Sequence, residues 1–538
     1  MKIAEIEEEQ QAPVLVPEPG RRRLPPLAKR VLMAAVAGSV VLGGILLVLP
    51  SSSPRSGPPA QGPAERAMLA AAAGAAPQLS DLSVLIGERE ARVRSHPRDG
   101  RAWAVLGAAY VERGTRTADP GYYPKAERAL RTSLKTRPTG NVEALTGLAR
   151  LAGARHDYAA AKDWGEAAVK LAPKRWTTYP ALIGAYGGLG DYKEVGASLD
   201  TLTGLHSGQA VMAEKGQVYG ERGWREDAYA SLTDAAALAP TAAEQAACLQ
   251  RLGELAWDRG KPRQALDYFG QALAADPGHH ASLAGKGRAL ASLGRTSEAL
   301  RAYQSALAKY PRPEYALELG ELYESLGLAG AARTQYDVLR ARVRADGADG
   351  VDDALVFGRF EADHGDARAA VTQLRAEWKR APSAWTADAL GWALHRSGDD
   401  RAALGFLKRS TDTEHGGVRS ALFAYHLGEV ERAFGLDGPA RRHIGEALQL
   451  NPQFSPLLSG PAKQALAALG DPPPGGVAQM DEPGDSVPER PAPQKPAPGK
   501  PTTPSPATRP SAPPRPSAPP PAAAEPSTPG SPKAQPSR

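Results

Sequence analysis

Hydrophobic and polar positions divide the chain into three stretches with different rhythms. Between Val31 and Leu49 nineteen residues run without a charge, VLMAAVAGSVVLGGILLVL, close to the ~20 apolar residues that cross a bilayer core as a helix. From about Asp99 to Phe454, apolar and small residues return at helical spacing, in paired segments separated by glycine or proline. This is the rhythm of helices that each bury one face. Beyond Asp471 the rhythm stops, and 23 of the last 68 residues are proline, mixed with Ala, Ser, Thr and Lys. Such a segment buries too little apolar surface to offset the entropy of ordering, so 471–538 is expected to be a disordered, locally polyproline-like tail.

The middle stretch repeats about every 34 residues. Each copy opens with Leu-Gly or a similar pair and has an aromatic or apolar residue three further on. A turn glycine follows, then Ala, a bulky residue four on, a small residue three on, and Pro. Leu252-Gly253 leads to Gly260, Ala265, Phe269, Ala272 and Pro277, and Gly287 leads to Gly294, Ala299, Tyr303, Ala306 and Pro311. Leu319-Gly320 leads to Tyr323, Gly327, Ala332 and Tyr336; Leu390-Gly391 to Gly398, Ala403 and Leu407; and Leu427-Gly428 to Gly435, Ala440, Ile444, Ala447 and Pro452. The first copy has Trp103, Leu106-Gly107, Tyr110, Ala126, Leu130 and Pro138, with seven extra residues around Thr115 to Gly121. Weaker copies centre on Ala160/Trp164, Val195/Leu199, Ala228/Leu232 and Ala370/Leu374, giving ten units. The steps from Ala332 to Ala370 and from Ala403 to Ala440 are longer, 38 and 37 residues, and the excess is expected in turns, where insertions cost little. Small residues mark where two helices touch and bulky ones fill the space between them. No such unit buries its apolar face alone, so the units must stack around one continuous core.

The pattern resembles the tetratricopeptide repeat (TPR), with its Trp…Leu-Gly…Tyr…Ala…Phe…Ala…Pro signature, over about 350 of the 538 residues. The resemblance implies an all-α fold: a right-handed solenoid of about ten helix-turn-helix repeats over 79–470, Leu79 to His96 being a lone helix leading in. Pro461 to Leu469 reads as a short capping helix. The run from Leu85-Ile86 through Trp103 to Tyr110 also resembles the TPR segment of bacterial cytochrome c maturation factors, which are membrane-anchored with an external TPR domain.

Charge adds an orientation. Arg21, Arg22, Arg23, Lys29 and Arg30 precede the apolar run, and only Arg55 follows before Arg66. The positive-inside rule then puts residues 1–30 in the cytoplasm, Val31–Leu49 across the plasma membrane as a single pass, and the array outside. A cleaved export signal is the alternative, although its apolar core is ordinarily about 7–15 residues. Residues 50–78, beginning PSSSPRSGPPAQGP, read as a linker. The formal net charge is +6, and 491–538 alone carries +5. The basic balance is therefore no nucleic-acid footprint on the folded part, and no nucleic-acid partner is expected.

Little in the chain points to chemistry. One cysteine, Cys248, rules out an intrachain disulfide or a multi-cysteine metal site and reads as a small core residue. His279-His280 follows Pro277-Gly278 and reads as a solvated turn pair. Gly187-Gly188-Leu189-Gly190 lacks the strand before it and the GK[ST] ending of a phosphate loop, so it reads as a helix–helix turn. Asp352-Asp353 and Asp399-Asp400 sit near helix starts, where acids complement the dipole. No enzyme activity, cofactor or metal is expected.

TPR arrays bind peptides or helices along the concave face lined by the first helix of each unit. In this register the groove residues are Glu254, Trp257, Arg288, Glu321, Arg359, Trp392, His395, Glu429 and Arg432. Trp257 and Trp392 would be anchors if open and inter-unit plugs if buried. The carboxylate clamp of chaperone co-factors needs paired Asn, and only Asn141 and Asn451 occur. The expectation is a membrane-anchored scaffold that binds protein or peptide partners. The alternatives are an assembly factor for an exported complex, as in cytochrome c maturation, and an envelope- or wall-binding protein acting through the basic Pro-rich tail.

Overall fold

The computed structural model describes residues 62–413 and 416–471, which are helical with no strand. Helices α1 (Pro63–Ala72) and α2 (Leu79–Ser95) form a leading hairpin. Units 1 to 5 follow as α3 (Gly100–Thr117) with α4 (Tyr123–Thr136), α5 (Val142–Ala154) with α6 (Tyr158–Leu171), α7 (Tyr179–Gly188) with α8 (Tyr192–Leu205), α9 (Gln209–Glu221) with α10 (Arg225–Ala237), and α11 (Ala242–Asp258) with α12 (Pro262–Ala275). Units 6 to 10 are α13 (His280–Ser292) with α14 (Thr296–Lys309), α15 (Pro313–Ser325) with α16 (Ala329–Ala348), α17 (Ala354–His364) with α18 (Ala367–Arg380), α19 (Ala384–Arg396) with α20 (Asp400–Thr411), and α21 (Ala421–Ala433) with α22 (Asp437–Leu450). Helix α23 (Ser459–Leu469) packs on α22 and ends the array.

The repeat residues act as their chemistry requires. A Cβ at Gly253 would stand 2.5 Å from the Phe269 ring, and one at Gly391 2.7 Å from Leu407. Only glycine lets the two helices of these units approach this closely. Ala265, Ala299, Ala403 and Ala440 are fully buried at the same crossings. Asp157, Asp191 and Asp399 each accept the N–H three residues on, satisfying donors that the first turn of a helix leaves free.

Three expectations change. Part of the 50–78 stretch read as a linker folds as α1, which is held by Arg66 on Asp81 (2.7 Å), so α2 is not a lone leading helix. The 38-residue step lies in a helix rather than a turn: α16 has 20 residues where most second helices have 14. Arg342 and Asp346, paired four residues apart at 2.9 Å, support the extra turn. His279 and His280 are half-buried rather than fully solvated. The first caps α13 through Ser282, and the second packs on Tyr310 at 4.2 Å, where burial pushes its pKa down to about 4. No described helix is long and apolar enough to cross a membrane. Residues 1–30, the Val31–Leu49 segment and the tail after Asp471 lie outside the described residues.

Contacts far apart in sequence set the pitch. Arg342 Nη2 donates to the Ala118 carbonyl across 224 residues (3.1 Å), and Asn451 Nδ2 to the Trp257 carbonyl across 194 (2.9 Å). The His156 Nδ1–H meets the Asp352 carbonyl across 196 residues (2.8 Å), and the Tyr192 hydroxyl accepts the Ala384 N–H across 192 (3.4 Å). Each joins the turn inside one unit to the end or junction of a unit between five and six further on. A superhelical turn therefore takes five to six units, and the second turn rests on the first. Gly190 (φ +71°) and Gly260 (φ +65°) lie on this seam, and a Cβ at Gly190 would be 2.5 Å from the Pro382 carbonyl oxygen. Asn451 is 2% exposed, so Asn451→Ala deletes a buried hydrogen bond of the seam, while the Trp257 carbonyl keeps the Gly260 N–H, and is expected to cost about 0.5–1.5 kcal/mol. Chemical denaturation should also show a broader or split transition, since the seam couples units that an open solenoid leaves independent. An unchanged, single sharp transition would contradict the coupling.

Candidate functional site

The first helices of units 4 to 10, namely α9, α11, α13, α15, α17, α19 and α21, all contribute to the wall of one cavity of 820 Å³. Seven consecutive units exceed one superhelical turn, so these helices surround the space. It is the lumen of the solenoid rather than an open groove. Its size lies within the ~300–1,000 Å³ of ordinary ligand sites. The stretch after α22, including Gln453, Phe454 and Pro456, also faces it.

Glu254, Trp257, Arg288, Glu321, Arg359 and Trp392 meet in this wall. Arg288 lies between Glu254 and Glu318 (2.8 Å to the latter) and over the Trp257 ring at 4.9 Å. Burial works against its charge, but the two carboxylates outweigh that and raise its pKa well above the usual value. Trp257 is half-buried, with its indole N–H on Ser292 Oγ (3.2 Å), and so bridges units 5 and 6. Trp392 is 6% exposed; it donates to Asp363 at 2.9 Å and stacks on His426 at 4.1 Å. It fills the gap between units 8, 9 and 10.

The remaining sequence-predicted residues do not reach the lumen wall. His395 turns to Asp400 (2.6 Å), and Glu429, buried, pairs with exposed Arg432 at 2.7 Å. Glu429 and Arg432 lie on α21 beyond His426, the last residue of that helix in the wall.

Other lumen residues fall outside the register that the sequence suggests. Arg251 and Asp258 share a helical stripe with Glu254, three and four residues away, and that spacing is a usable signal. Asp258 faces the lumen and is exposed to it. Crowding by the surrounding wall, and then Glu254, push its carboxyl up to about 6. Trp385, 45% exposed and edge-on to Phe423 at 5.0 Å, opens into the lumen from the start of α19. Buried Asp388 and His426 pair in the wall at 3.0 Å. In all, seven carboxylates and five arginines line the space, an acidic excess of two. Among the described residues no group of three or more metal-ligating side chains could hold an ion.

Tandem helical hairpins ringing a polar, tryptophan-bearing lumen define a helical-repeat solenoid. The family profile of the tetratricopeptide repeat matches residues 251–311 and 285–347, which supports a TPR protein, and the hairpins on either side continue the same arrangement. No curated protein sequence matches the chain. Among solved structures it is similar to a tetratricopeptide repeat protein of Parabacteroides merdae, with 18% identity over 49% of this chain and 99% of that one and a TM-score of 0.30. It is similar also to human IFIT1, solved as a dimer with PPP-AAAA (15%, 64% and 80%, TM-score 0.41), and to a thermophilic TPR protein of Thermus thermophilus (24%, 36% and 99%, TM-score 0.29).

Proposed function

We propose that this protein is a scaffold that holds partner polypeptides in the lumen of its solenoid, and that Val31–Leu49 anchors it in the plasma membrane with the array outside the cytoplasm. The enclosure of one cavity by seven consecutive first helices carries the binding reading. A single ring offers aromatic faces at Trp257 and Trp385, a cation at Arg359 and a stripe of acids to one ligand. The acidic excess opposes a polyanion such as nucleic acid and suits a polypeptide with mixed or positive charge. Enclosure favours an extended segment over a folded partner, because the seam leaves no open side. The anchor rests on the uncharged nineteen-residue run and the five cations before it.

A direct check is photocrosslinking from intact cells with the whole protein and with Trp257→Ala/Trp385→Ala/Arg359→Ala, which spares the core residue Trp392. Crosslinked partners should fall at least fivefold in the variant, while its helical circular dichroism is unchanged. Protease added outside the cells should cut the array. Partners that persist in a folded variant would move binding to another face, and an array shielded from protease would reverse the orientation.

A further inference from the structure

The first superhelical turn already holds a peptide: the chain's own. Between α1 and α2 the stretch Gly74–Pro77 touches three units at once. The Ala76 N–H donates to Glu244 Oε1 at the start of α11 (3.2 Å), and the Pro77 carbonyl accepts from Arg116 at the end of α3. The Trp176 indole fills the space that a Cβ on Gly74 would need, and it is itself stacked on His206 at 4.2 Å. Arg116, Trp176 and Glu244 belong to units 1, 3 and 5, spread around most of one superhelical turn. Four consecutive residues can reach all three only by spanning from one side of that turn to the other.

The contacts also define what is recognised. Two are to main-chain atoms, and the third is to an α-carbon without a side chain. Glu244 is fixed in place to receive the strap. It is 8% exposed, and its other oxygen is held by Thr241 Oγ1 at 2.8 Å, which leaves Oε1 for the Ala76 N–H. The strap has no charged side chain, so sequence matters only through small size and the bend that Pro77 and Gly74 (φ +73°) impose.

We propose that Arg116, Trp176 and Glu244 form a peptide-binding site across the first superhelical turn, specific for an extended Gly/Ala–Pro segment, and that Gly74–Pro77 is its built-in competitor. A partner segment of the same kind binds when the strap leaves. The proposal extends the lumen reading but does not use the lumen residues, so either can fail alone.

The probe is fluorescein-labelled AAGAAPQ, the sequence of residues 72–78, with its carboxyl end amidated. Binding is read by polarisation on the full chain. Gly74→Val drives a side chain into the Trp176 ring, and Ala76→Pro deletes the N–H given to Glu244, so each expels the strap by a different route. Both variants should bind the probe at least tenfold more tightly than the parent protein. Adding Trp176→Ala and Glu244→Gln to either should remove that gain. Equal binding by parent and strap variants, no binding by either variant, or binding that survives loss of Trp176 and Glu244 would each overturn the proposal.

Discussion

Phe269→Ala is expected to destabilise the array by about 3–5 kcal/mol, the range for removing a large aromatic side chain from a closed core. Phe269 is fully buried. Its ring is wedged between Gly253 of its own unit and Gly285 of the next, both within reach only because neither has a Cβ. The void left by alanine therefore opens at the contact between units 5 and 6 and cannot be filled by either neighbour. Over an array of about 400 residues the loss corresponds to a fall of roughly 4–6 °C in melting temperature. An open solenoid weakened at one joint tends to melt in two blocks, because each unit holds only its neighbours. Here the turn after α11 is also docked on Asn451, so the variant should still melt in one step, shifted down. A loss below about 1 °C would show that the Phe269 pocket is not the joint described, and two separated transitions would show that the seam is too weak to couple the turns. Combining Phe269→Ala with Asn451→Ala is then the sharper case, with two steps expected to lie further apart than any splitting seen in Asn451→Ala alone.

The legible part of this fold is the part made by neighbours. Gly253 against Phe269, Gly391 against Leu407 and the alanines that follow each turn recur every 33 to 38 residues, so ten hairpins and their helix pairing are readable from spacing alone. The first-helix register also brings six of the nine expected groove residues to one wall. The seam is not readable. Which turn meets which junction depends on how small rotations add over five to six units, and its contacts use unrelated residues: an asparagine side chain at 451, a tyrosine hydroxyl at 192, a histidine ring at 156. No period links them. Closure of the groove into a lumen follows from the seam, and so do the distinct fates of two similar tryptophans. Trp385 and Trp392 sit seven residues apart on α19, yet the first opens into the lumen and the second is caught between Asp363 and His426. Sequence spacing places both on the same side of the helix, and only the neighbouring unit separates them.

The second large effect is a dependence on pH built into that seam. Asp353 reads in sequence as one of a pair of acids at the start of α17, but only Asp352 caps the helix, accepting the Ala354 N–H at 2.9 Å. Asp353 is 7% exposed and faces Glu314 and Arg312 from the start of α15, Asp346 from α16, and His156 from the unit 2 turn across the seam at 3.8 Å. Burial pushes its carboxyl up to about 7, the repulsion of Glu314 and Asp346 adds to this, and Arg312 opposes it. A pKa raised from 3.8 in the unfolded chain to about 7 in the fold means that the protonated acid is the form the seam accommodates. Its contribution is full below about pH 4 and is lost progressively as the pH rises through 7. Asp353→Asn, which keeps the shape of the protonated acid and cannot ionise, should therefore be more stable than the parent at about pH 8 by about 2–4 kcal/mol, at about 1.4 kcal/mol for each unit of the shift. At about pH 4.5 the two proteins should differ by less than about 1 kcal/mol. Urea midpoints measured across that range separate the two cases, because titrating groups that do not face Asp353 are common to both proteins and cancel. Parallel curves would mean that Asp353 ionises as freely in the fold as in the unfolded chain. A variant less stable at the alkaline end would mean that the charge on Asp353, paired with Arg312 and His156, holds the two turns together.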